Sequence, residues 1–127
     1  MIVVDTSALM AIVLGEAGAD ACISVLEAEI EVLISAGTLA EALIVAARRN
    51  VADEVSILIE GLGFDVVPVT HASARRIAQS YAQWGKGRHP AGLNFGDCFS
   101  YELAKERSCR LLFVGNDFSK TDLENLT

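Results

Sequence analysis

Ile2-Val3-Val4-Asp5-Thr6-Ser7-Ala8-Leu9 decides the fold. Three β-branched apolar residues in a row read as a short strand buried on both faces. The polar trio that follows contains the residue types that cap a helix, and the pattern predicts a helix over 8–14. A buried strand running straight into a helix opens a wound α/β sheet. The same grammar recurs along the chain. Val32-Leu33-Ile34 reads as a second strand, and Ser35 as the cap of a long apolar helix to about Arg49. Further helices are expected over 19–28, 52–62 and 72–84, with a third strand over 64–69 between the last two. Asn94 caps a helix over 95–106, and a fourth strand follows over 110–114. Strands alternating with helices predict a three-layer α/β/α fold with a mainly parallel central sheet, one domain over residues 1–127.

Composition narrows the function classes. With 127 residues, the chain is long enough to bury roughly two-thirds of its unfolded surface. Hydrophobic residues make up 52% and mean hydropathy is +0.40, which excludes a disordered chain and leaves apolar surface for a partner or a second copy. The net charge of −7 is unevenly placed. Residues 1–47 hold seven acids and no Lys or Arg, whereas residues 48–127 hold ten of each sign. A nucleic acid must therefore approach the second part, or reach the acids through a cation. Cys22, Cys98 and Cys109 show no CxxC spacing, which disfavours a disulfide framework or a zinc site and suits a reducing cytoplasm. The start carries no basic segment of the secretory kind, and the apolar stretch over 32–47 is too short to span a membrane and contains Glu41.

Four acids carry the chemistry. In a parallel sheet, ligands bind beyond the carboxyl ends of the strands. Asp5 follows the first strand, Asp117 follows the fourth, and Asp97 lies in the first turn of a helix facing that edge. Glu41 is the only charge in residues 32–47, with no basic residue within one helical turn. Taken singly, each acid has a plainer role. Asp5 suits a helix cap, Asp97 a capping box after Asn94, Asp117 an Asx turn, and Glu41 a polar stripe with Thr38, Arg48 and Arg49. Four such roles at one sheet edge are a less economical reading than one pocket. Close carboxylates cannot all ionise without a cation, and hard oxygen donors suit Mg²⁺ or Mn²⁺. Metal-assisted phosphodiester hydrolysis is the matching chemistry.

Four segments, in this order, resemble the PIN-domain nucleases, and within them the VapC toxins of prokaryotic toxin–antitoxin pairs. They are Val3-Val4-Asp5-Thr6-Ser7-Ala8-Leu9, Ser35-Ala36-Gly37-Thr38-Leu39-Ala40-Glu41, Leu93-Asn94-Phe95-Gly96-Asp97-Cys98-Phe99-Ser100-Tyr101, and Leu111-Leu112-Phe113-Val114-Gly115-Asn116-Asp117-Phe118-Ser119-Lys120-Thr121-Asp122. The resemblance implies a Mg²⁺-dependent endoribonuclease that cuts structured RNA, such as tRNA or an rRNA loop, by attack of water. It implies Asp5 and Asp97 as the firmest metal ligands, with Glu41 and Asp117 completing the pocket and orienting or deprotonating the water. It further implies a hydroxyl from Thr6 or Ser7, an amide from Asn116 and an accessory acid at Asp122. A VapB-type antitoxin and a homodimer are the partners it implies. The contrasting class is a non-catalytic RNA-binding or interaction module on the same fold.

Lys86, Arg88 and His89 lie in the Gly-rich loop just before the Asp97 helix and are candidates to grip RNA phosphate. Tyr81 and Trp84 share a helix face by their i, i+3 spacing, suited to a core, an interface or base stacking. Leu9, Met10, Ile12, Val13 and Leu14 make the first helix more apolar than one buried side requires, so part of it is expected to receive an antitoxin helix. Other phosphate chemistries are excluded residue by residue. A two-histidine ribonuclease would need His71 and His89 together, but one follows the third strand and the other precedes Pro90 in the loop. A haloacid-type phosphatase needs an acid where Ser7 stands, and a receiver domain needs one where Pro68, Val69 and Thr70 stand. Gly85-Lys86-Gly87 follows a helix, so it is not a dinucleotide loop, and Ser80 occupies the place of the first P-loop glycine.

Overall fold

The computed structural model describes residues 1–123. Strands β1 (Ile2–Val4), β2 (Val32–Ser35), β3 (Asp65–Val67) and β4 (Arg110–Leu112) form one sheet in the order β3-β2-β1-β4, with every pair parallel. The helices are α1 (Thr6–Leu14), α2 (Ala19–Ala28), α3 (Ala36–Arg48), α4 (Ala52–Gly61), α5 (His71–Trp84) and α6 (Phe95–Glu106).

Alternation along the central strands divides the core in two. Ile2, Val4, Ile34 and Leu112 pack with residues of α1 to α4. Val3, Leu33 and Leu111 pack with residues of α5 and α6. Helices therefore cover both faces, and the expected three-layer architecture stands. Both faces of β1 are sealed, so Ile2, Val3 and Val4 have no solvent exposure.

Two strands are shorter than expected. β3 ends at Val67 because Pro68 has no N–H to give a ladder. Phe64 turns into the core beneath it rather than joining the edge. β4 ends at Leu112, and two residues later the Val114 N–H leaves the sheet to donate to the Ser7 hydroxyl at 3.1 Å. α5 begins one residue early, at His71, because Thr70 and Ser73 form a capping box.

The apolar surplus of α1 is only partly absorbed inside the molecule. Leu9 and Met10 are buried, and Ile12, Val13 and Leu14 pack against the same core. The large exposed apolar residues include Ile30, Ile44, Ile57 and Phe95 instead. Trp84 also turns inward, where its indole N–H donates to the Tyr101 hydroxyl at 2.8 Å, while Tyr81 stays exposed. Cys22 and Cys98 are buried and Cys109 is half-buried, all as free thiols. Burial, with Asp97 beside it, pushes the Cys98 thiol up to about 11, so it is not a reactive nucleophile. Among the described residues, no single helix is long and apolar enough to cross a membrane.

Candidate active site

The four acids arrive from four separate pieces of the fold. Asp5 leaves the end of β1 and caps α1, accepting from the Ser7 N–H at 3.1 Å and the Ser7 hydroxyl at 2.7 Å. Its other oxygen accepts from the Ser100 hydroxyl of α6 at 2.6 Å. Asp97 completes the capping box of α6. It accepts from the Asn94 N–H at 3.0 Å, and its own N–H donates to the Asn94 side chain at 2.8 Å. The capping roles of Asp5 and Asp97 are thus compatible with a place in one acid cluster.

Glu41 is not on an exposed polar stripe. It is half-buried and accepts from the Thr6 hydroxyl at 2.7 Å, while Thr38, three residues before it, is fully buried. Asp117 is exposed, on a turn pinned from below by buried Phe118, whose ring lies 5.1 Å from that of Phe113. Gly115 makes the turn possible with a φ of 98°, a conformation most side chains avoid.

The sequence reading missed the seam between α3 and α6. A methyl group at Gly37 would lie 2.2 Å from the Phe99 ring, and one at Gly96 would lie 1.9 Å from a Glu41 carboxylate oxygen. Thr38 and Ser100 exchange a hydrogen bond of 3.1 Å across the same seam. The two glycines let the helices approach closely enough for Glu41 to reach the first turn of α6. Ser100 then bridges α3 and α6 to Asp5. The available signal was the spacing: Ser100 lies one turn after Asp97, and Gly37 one turn before Glu41.

Burial raises the proton affinity of three acids, and their mutual repulsion adds to it. Burial pushes Asp5 above its ordinary value against the opposing bonds from Ser100 and Ser7, with a smaller push from Asp117. Glu41 is raised by burial, opposed by Thr6, and raised further by Asp5 and Asp117. Asp97 is pushed up to about 7, by burial first and then by the charges of Asp5, Asp117 and Glu41 against the Asn94 N–H. Among the described residues, no Lys or Arg forms an ion pair with any of the four.

This donor set fits a hard divalent cation. It offers only oxygen, concentrates negative charge and lacks a protein counter-charge. Among the described residues, no three His, Cys, Asp or Glu side chains already form a cage for a metal ion. Mg²⁺ does not need one, because it keeps several waters and binds through one or two carboxylates.

A carboxyl raised in the folded state holds its proton more tightly there than in the unfolded chain. The Asp97 contribution therefore favours folding fully below its ordinary value of 3.8 and is lost as the pH rises to about 7. In EDTA, the melting temperature of the wild type is expected to fall relative to that of Asp97→Asn between pH 4 and pH 7. Thermal melts across that range check this; parallel curves would refute the coupling.

The remaining candidates divide. The Thr6 and Ser7 hydroxyls both serve the site, one on Glu41 and the other on Asp5. Asn116 is exposed, and its backbone oxygen accepts from Ser119. Asp122 is drawn elsewhere: the Tyr101 hydroxyl and the Lys105 ammonium each donate to it at 2.8 Å. Lys86 and Arg88 are exposed on a loop closed by the Gly85–Leu93 bridge, directly ahead of the Asn94 cap. His89 packs its ring edge-on against Trp84, at 4.7 Å.

Comparison with known proteins identifies the family. Over 124 residues, the chain is 40% identical to ribonuclease VapC30 of Mycobacterium tuberculosis, covering 95% of each chain. It is 41% identical over 126 residues to ribonuclease VapC28 of the same species, covering 96% of this chain and 95% of the other. Among solved structures, the sarcin-ricin loop cleaving toxin VapC20 of M. tuberculosis superposes with a TM-score of 0.80 at 18% identity, over 98% of this chain and 97% of the other. A toxin–antitoxin complex from Klebsiella pneumoniae gives 0.73 at 17% identity, over 96% and 93%. The PIN domain model matches residues 2–124, and the chain belongs to the PIN-domain family.

Proposed function

We propose that this protein is the toxin of a toxin–antitoxin pair, an endoribonuclease dependent on Mg²⁺ or Mn²⁺ that cuts structured RNA such as tRNA or an rRNA loop. The observation that carries the reading is the set of four mutually repelling carboxylates with no basic partner among the described residues. Relatives named ribonucleases at 40% identity support it. Asp5 and Asp97 would hold the cation, with Glu41 and Asp117 closing the pocket. When bound, the cation supplies positive charge that makes water a better nucleophile and eases charge build-up on the phosphate. Glu41, steadied by Thr6 and raised in proton affinity, is placed to take the proton of the attacking water. Asp117 orients that water from the opposite loop, with Asn116 beside it. Lys86 and Arg88 grip phosphates flanking the cut. A VapB-type antitoxin holds the toxin in check, and the toxin acts in the cytoplasm as a homodimer. The toxin–antitoxin complexes among its fold neighbours support the antitoxin.

The contrasting reading is a PIN-fold module that binds RNA without cutting it. Total cellular RNA incubated with the antitoxin-free protein separates the two. Discrete cuts in Mg²⁺ or Mn²⁺ that disappear in EDTA are expected. RNA binding without cuts in either metal would establish the module, and cuts that persist in EDTA would sink metal-dependent hydrolysis.

A further inference from the structure

The groove between α5 and α6 is lined by Val69, Ile77, Tyr81, Phe95 and Phe99, among other residues, and has a volume of about 450 Å³. Three of these five are aromatic, and no charged residue lines it. Phe95 is 71% exposed and stands edge-on to Phe99 at 4.9 Å, which fixes its ring while leaving much of it open. It is also the first residue of α6, adjoining Gly96, on which the Glu41 carboxylate rests, and two residues before Asp97.

We propose that this groove is a nucleobase subsite, in which an unpaired base next to the cleaved phosphate stacks on Phe95. The inference rests on the ribonuclease reading above and adds what the substrate presents: a splayed, single-stranded base. Continuity with the acid cluster selects this occupant. Gly96, against which the Glu41 carboxylate lies, directly follows Phe95, so a nucleotide whose phosphate meets the acid cluster has a neighbouring base close to that ring. An aromatic face accepts any base, and loop RNA is recognised by such stacking on unpaired bases. Tyr81 and Phe99 then form walls of a slot in which shape, rather than charge, sets the preference among bases. The aromatic pair foreseen on α5 is thereby divided: Trp84 braces Tyr101 in the interior, and Tyr81 faces the groove.

Two measurements test the subsite. In the first, single-stranded RNA carrying 2-aminopurine beside the cut site is titrated with wild type, Phe95→Leu and Phe95→Trp in Ca²⁺. Wild type and Phe95→Trp are expected to quench the fluorophore, and Phe95→Leu to leave it bright with affinity weakened about tenfold. In the second, cleavage in Mg²⁺ is expected to show a KM about tenfold higher for Phe95→Leu, with kcat little changed. An abasic site at the same position is expected to harm the wild type and not Phe95→Leu. Equal quenching by wild type and Phe95→Leu, or equal harm from the abasic site, would overturn the subsite while leaving metal-dependent cleavage standing. Absence of cleavage by the wild type would instead overturn the nuclease reading, with the fluorescence arm still deciding the subsite. Unchanged RNA binding by Phe95→Leu alongside loss of a copurifying protein would make the groove a protein-docking surface and refute the proposal.

Discussion

Asp97→Asn is expected to lower kcat for RNA cleavage by on the order of a thousandfold while leaving the folded protein intact. The substitution keeps the acceptor that the Asn94 N–H requires, so the capping box of α6 survives. It removes the charge that Asp5, Asp117 and Glu41 all repel. At pH 7.5 in EDTA, the variant is therefore expected to melt above the wild type, because a charge held at a cost has gone. Adding Mg²⁺ reverses the order: the wild type gains stability by binding the cation, and the variant gains less. Cleavage rates and melts in both buffers check the two halves together. A variant that is inactive because it has unfolded would melt below the wild type in EDTA and defeat the argument. Activity and stability pulling in opposite directions at one residue is the mark of a functional site maintained against folding.

The second large effect comes from a residue with no side chain. Gly96→Ala would place a methyl group 1.9 Å from the Glu41 carboxylate oxygen, a separation no structure tolerates. The Glu41 carboxylate is the free end of a flexible chain, so it swings away and the helices need not part. The expected result is loss of about a hundredfold or more in kcat, similar to Glu41→Gln, with a melting temperature near that of the wild type. Combining the two substitutions should cost little more than either alone, since both remove one group from one place. A double variant whose losses multiply would show that Gly96 acts by some route other than Glu41.

Much of this site was legible because its acids sit where local rules already put acids. Asp5 caps α1 and Asp97 closes a capping box, so the signals that mark helix starts also mark the pocket. The parallel sheet brings both starts to one edge. Gly37 and Ser100 lie one turn from Glu41 and Asp97, but their partnership, and that of Gly96, depends on the close approach of α3 and α6, which spacing alone does not encode. The apolar surplus of α1 was legible, but not its division: the four-helix layer over that face of the sheet buries Leu9 and Met10 and leaves Ile12, Val13 and Leu14 partly exposed. Asp122 followed the family pattern in sequence but is held by Tyr101 and Lys105, a competition settled only by tertiary geometry.

Because β1 lies between β2 and β4, the first strand made is among the last to be finished. Val3 pairs with Leu33 on one side and must wait for Leu111 on the other. Closing that long loop costs entropy before the pairing rewards it. The Ser100 hydroxyl on Asp5 spans 95 positions and likewise needs the far end of the chain in place. A copy in which β4 and α6 have yet to dock lacks the bond that ties α6 to Asp5. The acid cluster is complete only once the sheet has closed.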